Sequence, residues 1–82
     1  MKIFLLNAKA KSRVWTPWYD KAFGFVVRAD DEKQARELAS KEAGDEGAKA
    51  WLDPQQSLCE IVGDAVGNGE EAQVLLRDFA AA

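Results

Sequence analysis

The chain opens on a short run of alternating positions in which both faces are apolar. From Ile3 to Ala8, Ile3, Leu5 and Asn7 fall on one side and Phe4, Leu6 and Ala8 on the other, the period of two that marks a strand. A second strand is expected from Tyr19 to Ala29, with Phe23, Phe25, Val27 and Ala29 on its bulky side and Ala22, Gly24, Val26 and Arg28 opposite. Between them Lys9 to Trp18 is basic and then aromatic, and Thr16-Pro17 holds the backbone extended or turning, so this stretch reads as a long hairpin loop.

After Ala29 the period changes to that of a helix. Asp30 or Asp31 can cap it, Asp31 with Gln34 forms a variant of the capping box, and Asp31 and Glu32 suit the positive end of the helix dipole. Ala35, Leu38, Ala39 and Ala43 make one buried stripe with a single large member, narrow enough to sit close to Phe23 and Phe25, and Gly44 supplies a stop. Ala48 to Gln56, with Trp51, Leu52, Asp53 and Pro54, reads as a tight connection pinned by one aromatic residue. Ser57 to Val62 alternates as a third strand, and Asn68-Gly69 is the turn signal of a hairpin.

The last element has two readings. Ala72, Leu75, Leu76 and Phe79 fall at helical spacing, whereas Val74-Leu75-Leu76 is a short apolar run placed where a fourth strand would complete a sheet. Periodicity alone slightly favours the helix.

Composition narrows the chemistry. The 82 residues fit one small domain, residues 1–82, and an apolar fraction of 48% is that of a folded globule. No histidine is present, which removes the commonest metal ligand and neutral-pH base, and Cys59 alone forms neither an internal disulfide nor a zinc site. Metal ions and cofactors are therefore not expected. The four-residue apolar run Ile3–Leu6 is too short for an export signal and no stretch suits a bilayer, so a cytoplasmic protein without membrane contact is expected.

Charge is divided along the chain. Residues 1–29 hold six cations against Asp20, a balance of +5, while residues 30–82 hold five against thirteen acids, a balance of −8. Lys9, Lys11 and Arg13 share a side of an extended arm, and Trp15, Trp18 and Tyr19 follow at once. Cations with aromatic faces are the equipment of a single-stranded nucleic-acid binder. A net charge of −3 opposes that use, and tryptophans folded over the sheet explain the same residues. Asp30, Asp31, Glu32, Asp45 and Glu46 are expected to form an acidic surface that steers a basic, even nucleic-acid-associated, protein partner.

Other chemistry is thinly signalled. Gly67 to Ala72 formally matches a dinucleotide fingerprint, but Glu70 and Glu71 would repel a pyrophosphate. Carboxylate pairs such as Asp45 with Glu46, or Asp53 with Glu60, read as solvated charges, and Cys59 as a small hydrophobe with no histidine to activate it.

The segments Phe23-Gly24-Phe25-Val26-Val27-Arg28-Ala29, Ala35-Arg36-Glu37-Leu38-Ala39, Ala43-Gly44-Asp45-Glu46-Gly47 and Trp51-Leu52-Asp53-Pro54 together resemble a family of small phage, prophage and bacterial proteins. The resemblance covers most of the chain outside the basic loop and departs from the family at the alanine ending. It implies a ββαββ domain, a strand near Val74 to Phe79 and a mobile-element context, and it brings no activity with it. With the last element read as a strand on that ground, the expected fold is α+β: an antiparallel sheet of three to four strands with one helix on one face.

One helix cannot cover both sides of such a sheet. The second face is left for the tryptophan loop, a second copy of the chain or another protein. The leading expectation is a non-enzymatic protein-binding accessory module, an inhibitor of a host or defence protein being one form, with Trp15, Trp18 and Tyr19 as its aromatic anchor. A nucleic-acid binder using Lys9 to Tyr19 and a small enzyme of unspecified type are the alternatives.

Overall fold

The computed structural model describes residues 1–9, 21–44, 46–66 and 71–80. They form β1 (Lys2–Ala8), β2 (Lys21–Ala29), α1 (Glu32–Ser40), α2 (Ala48–Leu52), β3 (Ser57–Asp64) and β4 (Gln73–Ala80). The fold is α+β, a four-stranded sheet in the order β3-β1-β2-β4 with every neighbouring pair antiparallel. The last element is therefore a strand. The segment read as a tight connection contains a second, five-residue helix.

Two strand rows face the helices. Phe4 lies opposite Val27 and Ile61, and Leu6 opposite Phe25 and Cys59. Phe4, Leu6, Phe25, Val27, Ala35, Ala39, Ala50 and Trp51 close into one buried core, with Leu38 and Ala43 packed against it. The alanine stripe of α1 thus lies on the sheet as its small side chains allow. Trp51 fills the space beside it, its ring 4.7 Å from that of Phe25 at 86°, an edge-to-face arrangement.

α1 begins as the sequence indicates and ends early. The Gln34 N–H donates to Asp31 Oδ1 at 2.8 Å, and the Gln34 side-chain oxygen accepts from the Asp30 N–H at 2.7 Å. The helix stops at Ser40, four residues before Gly44. The physical reason is Glu46: its Oε1 accepts the Gly44 N–H at 2.9 Å, which turns the chain toward α2. Gly47 precedes α2 at φ 86°, a left-handed backbone open to glycine.

β3 and β4 do not make the hairpin that Asn68-Gly69 suggests. They sit at opposite edges of the sheet. Just after β3, Ala65 donates its N–H to the Met1 carbonyl at 3.1 Å, and just before β4, Arg28 Nε donates to the Glu71 carbonyl at 2.9 Å. Asn68 and Gly69 themselves lie outside the described residues.

Candidate functional site

The face of the sheet turned away from the helices is the candidate site. Its rows follow from strand pairing: Glu60, Leu5, Val26 and Leu76 stand side by side across the four strands, and Leu58, Asn7, Gly24 and Asp78 form the next row. Leu5 and Val26 are half-buried, while Leu58 is 45% and Leu76 64% exposed. No helix among the described residues lies over these rows.

Gly24 shapes the middle of this face. A Cβ there would stand 3.2 Å from the Leu6 carbonyl oxygen and 3.3 Å from Asn7 Oδ1. Its absence leaves a hollow of about 100 Å³ lined by Leu5, Asn7, Val26, Leu76 and Asp78. Small-molecule pockets run to roughly 300–1,000 Å³. The hollow has room for a single side chain.

The residues chosen from sequence fare differently. Lys9 is half-buried, its N–H donating to the Gln56 carbonyl at 3.1 Å. Lys11, Arg13, Trp15, Trp18, Tyr19 and Asp45 lie outside the described residues. Asp30, Asp31 and Glu32 are exposed together at the start of α1.

Glu46 is not part of an acidic surface, and this expectation is corrected. It is 7% exposed. Its Oε1 accepts N–H bonds from Ala22 at 3.1 Å and Gly44 at 2.9 Å, and its Oε2 accepts the Trp51 indole N–H at 2.6 Å. A buried carboxylate is tolerable when such donors replace water. Its task is to tie the α1–α2 connection to β2 and to the core tryptophan.

A second buried polar cluster is not among the candidate residues that the sequence singled out. Arg36 is 6% exposed and extends from α1 toward β3. Its Nε donates to Glu32 at 2.8 Å, Nη1 to the Trp51 carbonyl and the Ser57 hydroxyl, both at 2.9 Å, and Nη2 to the Ser57 carbonyl at 3.1 Å. The available clue was an arginine adjoining Ala35 in the buried stripe, where a solvated charge does not fit.

Cys59 is half-buried on the helix side. Burial first, then the negative charge of Glu32 and, to a smaller degree, of Glu60, push its thiol up to about 11 against the opposing pull of Arg36. At neutral pH it is a protonated thiol and a weak nucleophile. Asp64, by contrast, is held below the usual carboxylate range by its hydrogen bond and ion pair with Lys2.

No group of three metal-ligating acids or cysteines occurs among the described residues, and none of their helices is long and apolar enough to cross a membrane. Gly67 to Ala72 leads into β4, a strand, where a phosphate-binding glycine turn would require a helix. Compared with protein families, curated proteins and solved structures, the chain finds no match.

Proposed function

We propose that the protein is a non-enzymatic protein-binding accessory module that holds its partner on the sheet face carrying Leu5, Leu58, Val26 and Leu76. The observation that carries this reading is the 64% exposure of Leu76 at the end of an apolar row that runs unbroken through Val26 to Leu5. Isolated exposed leucines need no explanation, but apolar side chains continuous across strands and rimmed by Glu60, Asn7 and Asp78 are the composition of an interface centre with a polar rim. The resemblance to phage and prophage proteins gives the setting, a mobile element, and makes a host or defence protein the class of partner. Asp30, Asp31 and Glu32 favour a partner with a basic surface.

The test is affinity capture from host lysate with the wild-type chain and with Leu76→Asp. Leu76 is exposed, so the variant is expected to keep its far-UV circular dichroism and urea midpoint while retention of the partner falls at least tenfold. Undiminished capture by the folded variant overturns the reading.

A further inference from the structure

The backbone of β3 is unevenly occupied along the sheet edge. Residues of an antiparallel edge strand alternately direct both backbone groups at the neighbouring strand and away from it. The bond from the Lys9 N–H to the Gln56 carbonyl sets the phase in the β1–β3 ladder: Leu58 and Glu60 bond to β1, and Ser57, Cys59 and Ile61 point outward, Ile61 being the last residue before the register shift opposite Ile3 and Phe4. Side chains and turns confirm that phase at Ser57, whose N–H donates to the Asp53 carbonyl at 3.1 Å and whose carbonyl accepts from Arg36. Ser57 is closed to further pairing. Cys59 and Ile61 have no such partner among the described residues, and no strand there lies beyond them.

We propose that the Cys59–Ile61 edge of β3 accepts an extended segment of a partner protein as a fifth, antiparallel strand, with a Lys or Arg of that segment opposite Glu60 and an apolar residue on each side of it. The proposal deepens the protein-binding reading and rests on it. Strand addition supplies affinity through main-chain bonds and specificity through alternate side chains. Here the incoming residues opposite Cys59 and Ile61 would exchange the main-chain bonds and lie on the helix side, against Ile61, which is 62% exposed. The intervening residue would face exposed Glu60 beside the Leu5–Val26–Leu76 row. Charge argues for a cation there: Glu60 is exposed and makes no ion pair with another described residue, whereas on the helix side Glu32 is already paired with Arg36.

A second copy of β3 fits poorly. Two-fold pairing about Glu60 sets two carboxylates directly opposite one another, which destabilises the pair. Pairing about Cys59 brings Ile61 to the occupied Ser57. Pairing about Ile61 brings Cys59 to Gly63: the ladder slips by one residue between Ile61 and Gly63, so beyond that slip the backbone groups of Gly63 face β1, the phase that the bond from the Ala65 N–H to the Met1 carbonyl fixes.

The probe is a pair of capped peptides, Ser-Thr-Ser-Val-Lys-Val-Ser-Thr-Ser and the same sequence with Glu replacing Lys, titrated into the isotope-labelled protein and followed by amide NMR. The Lys peptide is expected to move the Cys59 and Ile61 amide protons downfield and slow their exchange, leaving those of Leu58 and Glu60 in place. It should bind at least tenfold tighter than the Glu peptide, and Glu60→Lys should invert that order. Ile61→Pro removes an outward donor that the sheet does not use and should abolish binding; should this variant not fold, the Glu60→Lys inversion decides. Shifts confined to other amides, equal binding of the two peptides, or a dimer whose formation occludes Cys59 and Ile61 each overturn the proposal. Loss of peptide binding with Leu76-dependent capture intact removes this inference alone, and loss of both removes the protein-binding reading.

Discussion

The indole N–H of Trp51 donates to the buried carboxylate of Glu46 at 2.6 Å, so the largest core side chain is fixed by an acid five residues before it. The same carboxylate receives the Ala22 and Gly44 N–H groups. One side chain therefore sets the end of α1, the place of α2 and the start of β2.

Glu46→Ala is expected to destabilise the fold by about 3 kcal/mol, since it leaves buried donors at Ala22 and Trp51 without acceptors. Urea unfolding followed by tryptophan fluorescence measures it. A cost below about 1 kcal/mol, the worth of one ordinary hydrogen bond, would show that water replaces the carboxylate.

Arg36→Ala should cost a similar amount, about 3 kcal/mol, because the Trp51 and Ser57 carbonyls lose their donors inside the fold. Arg36→Lys should recover less than half of it: a single ammonium cannot span Glu32, Trp51 and Ser57 as the planar guanidinium does. Equal stability of the lysine variant in chemical denaturation would contradict the geometry.

With its thiol near 11 against an ordinary 9.0, Cys59 should react with iodoacetamide at neutral pH about a hundredfold more slowly than an unfolded cysteine. The rate in the folded state should rise until pH reaches about 11. Stability follows the same shift. The unfolded thiol ionises first, so the contribution is whole below about pH 9 and declines as pH climbs toward 11. Cys59→Ala should remove that part of the decline in a pH series of urea midpoints.

Gly24→Ala should cost about 1 kcal/mol, because the new methyl meets the Leu6 carbonyl oxygen at 3.2 Å and only the Asn7 side chain is free to yield. Asn7→Ala in the same chain should return part of the loss. Thermal unfolding of the single and double variants gives the coupling directly.

Much of the fold was legible in the chain. The period-two runs placed β1, β2 and β3 to within two residues at each end, and Asp31 with Gln34 marked the start of α1. Local order is visible because it is set by neighbours in sequence: alternation, capping chemistry and the small stripe of Ala35 and Ala39 act within one element. The second face of the sheet was visible for the same reason, as strands apolar on both sides.

What local pattern does not encode was decided in three dimensions. Residues 72–79 carry a helical spacing, yet β4 forms because pairing with β2 lets Val74 join the core beside Val27 and Leu76 extend the outer row beside Val26. Asn68-Gly69 suggested a hairpin, but β3 pairs with β1 and β4 with β2 at opposite edges of the sheet, and the bonds of Ala65 and Arg28 hold the chain where it leaves β3 and where it enters β4. Glu46 and Arg36 look like surface charges in a sequence because charge is a property of the residue. Burial belongs to the fold, and only the donors and acceptors gathered around these two side chains from distant positions make it favourable to remove them from water.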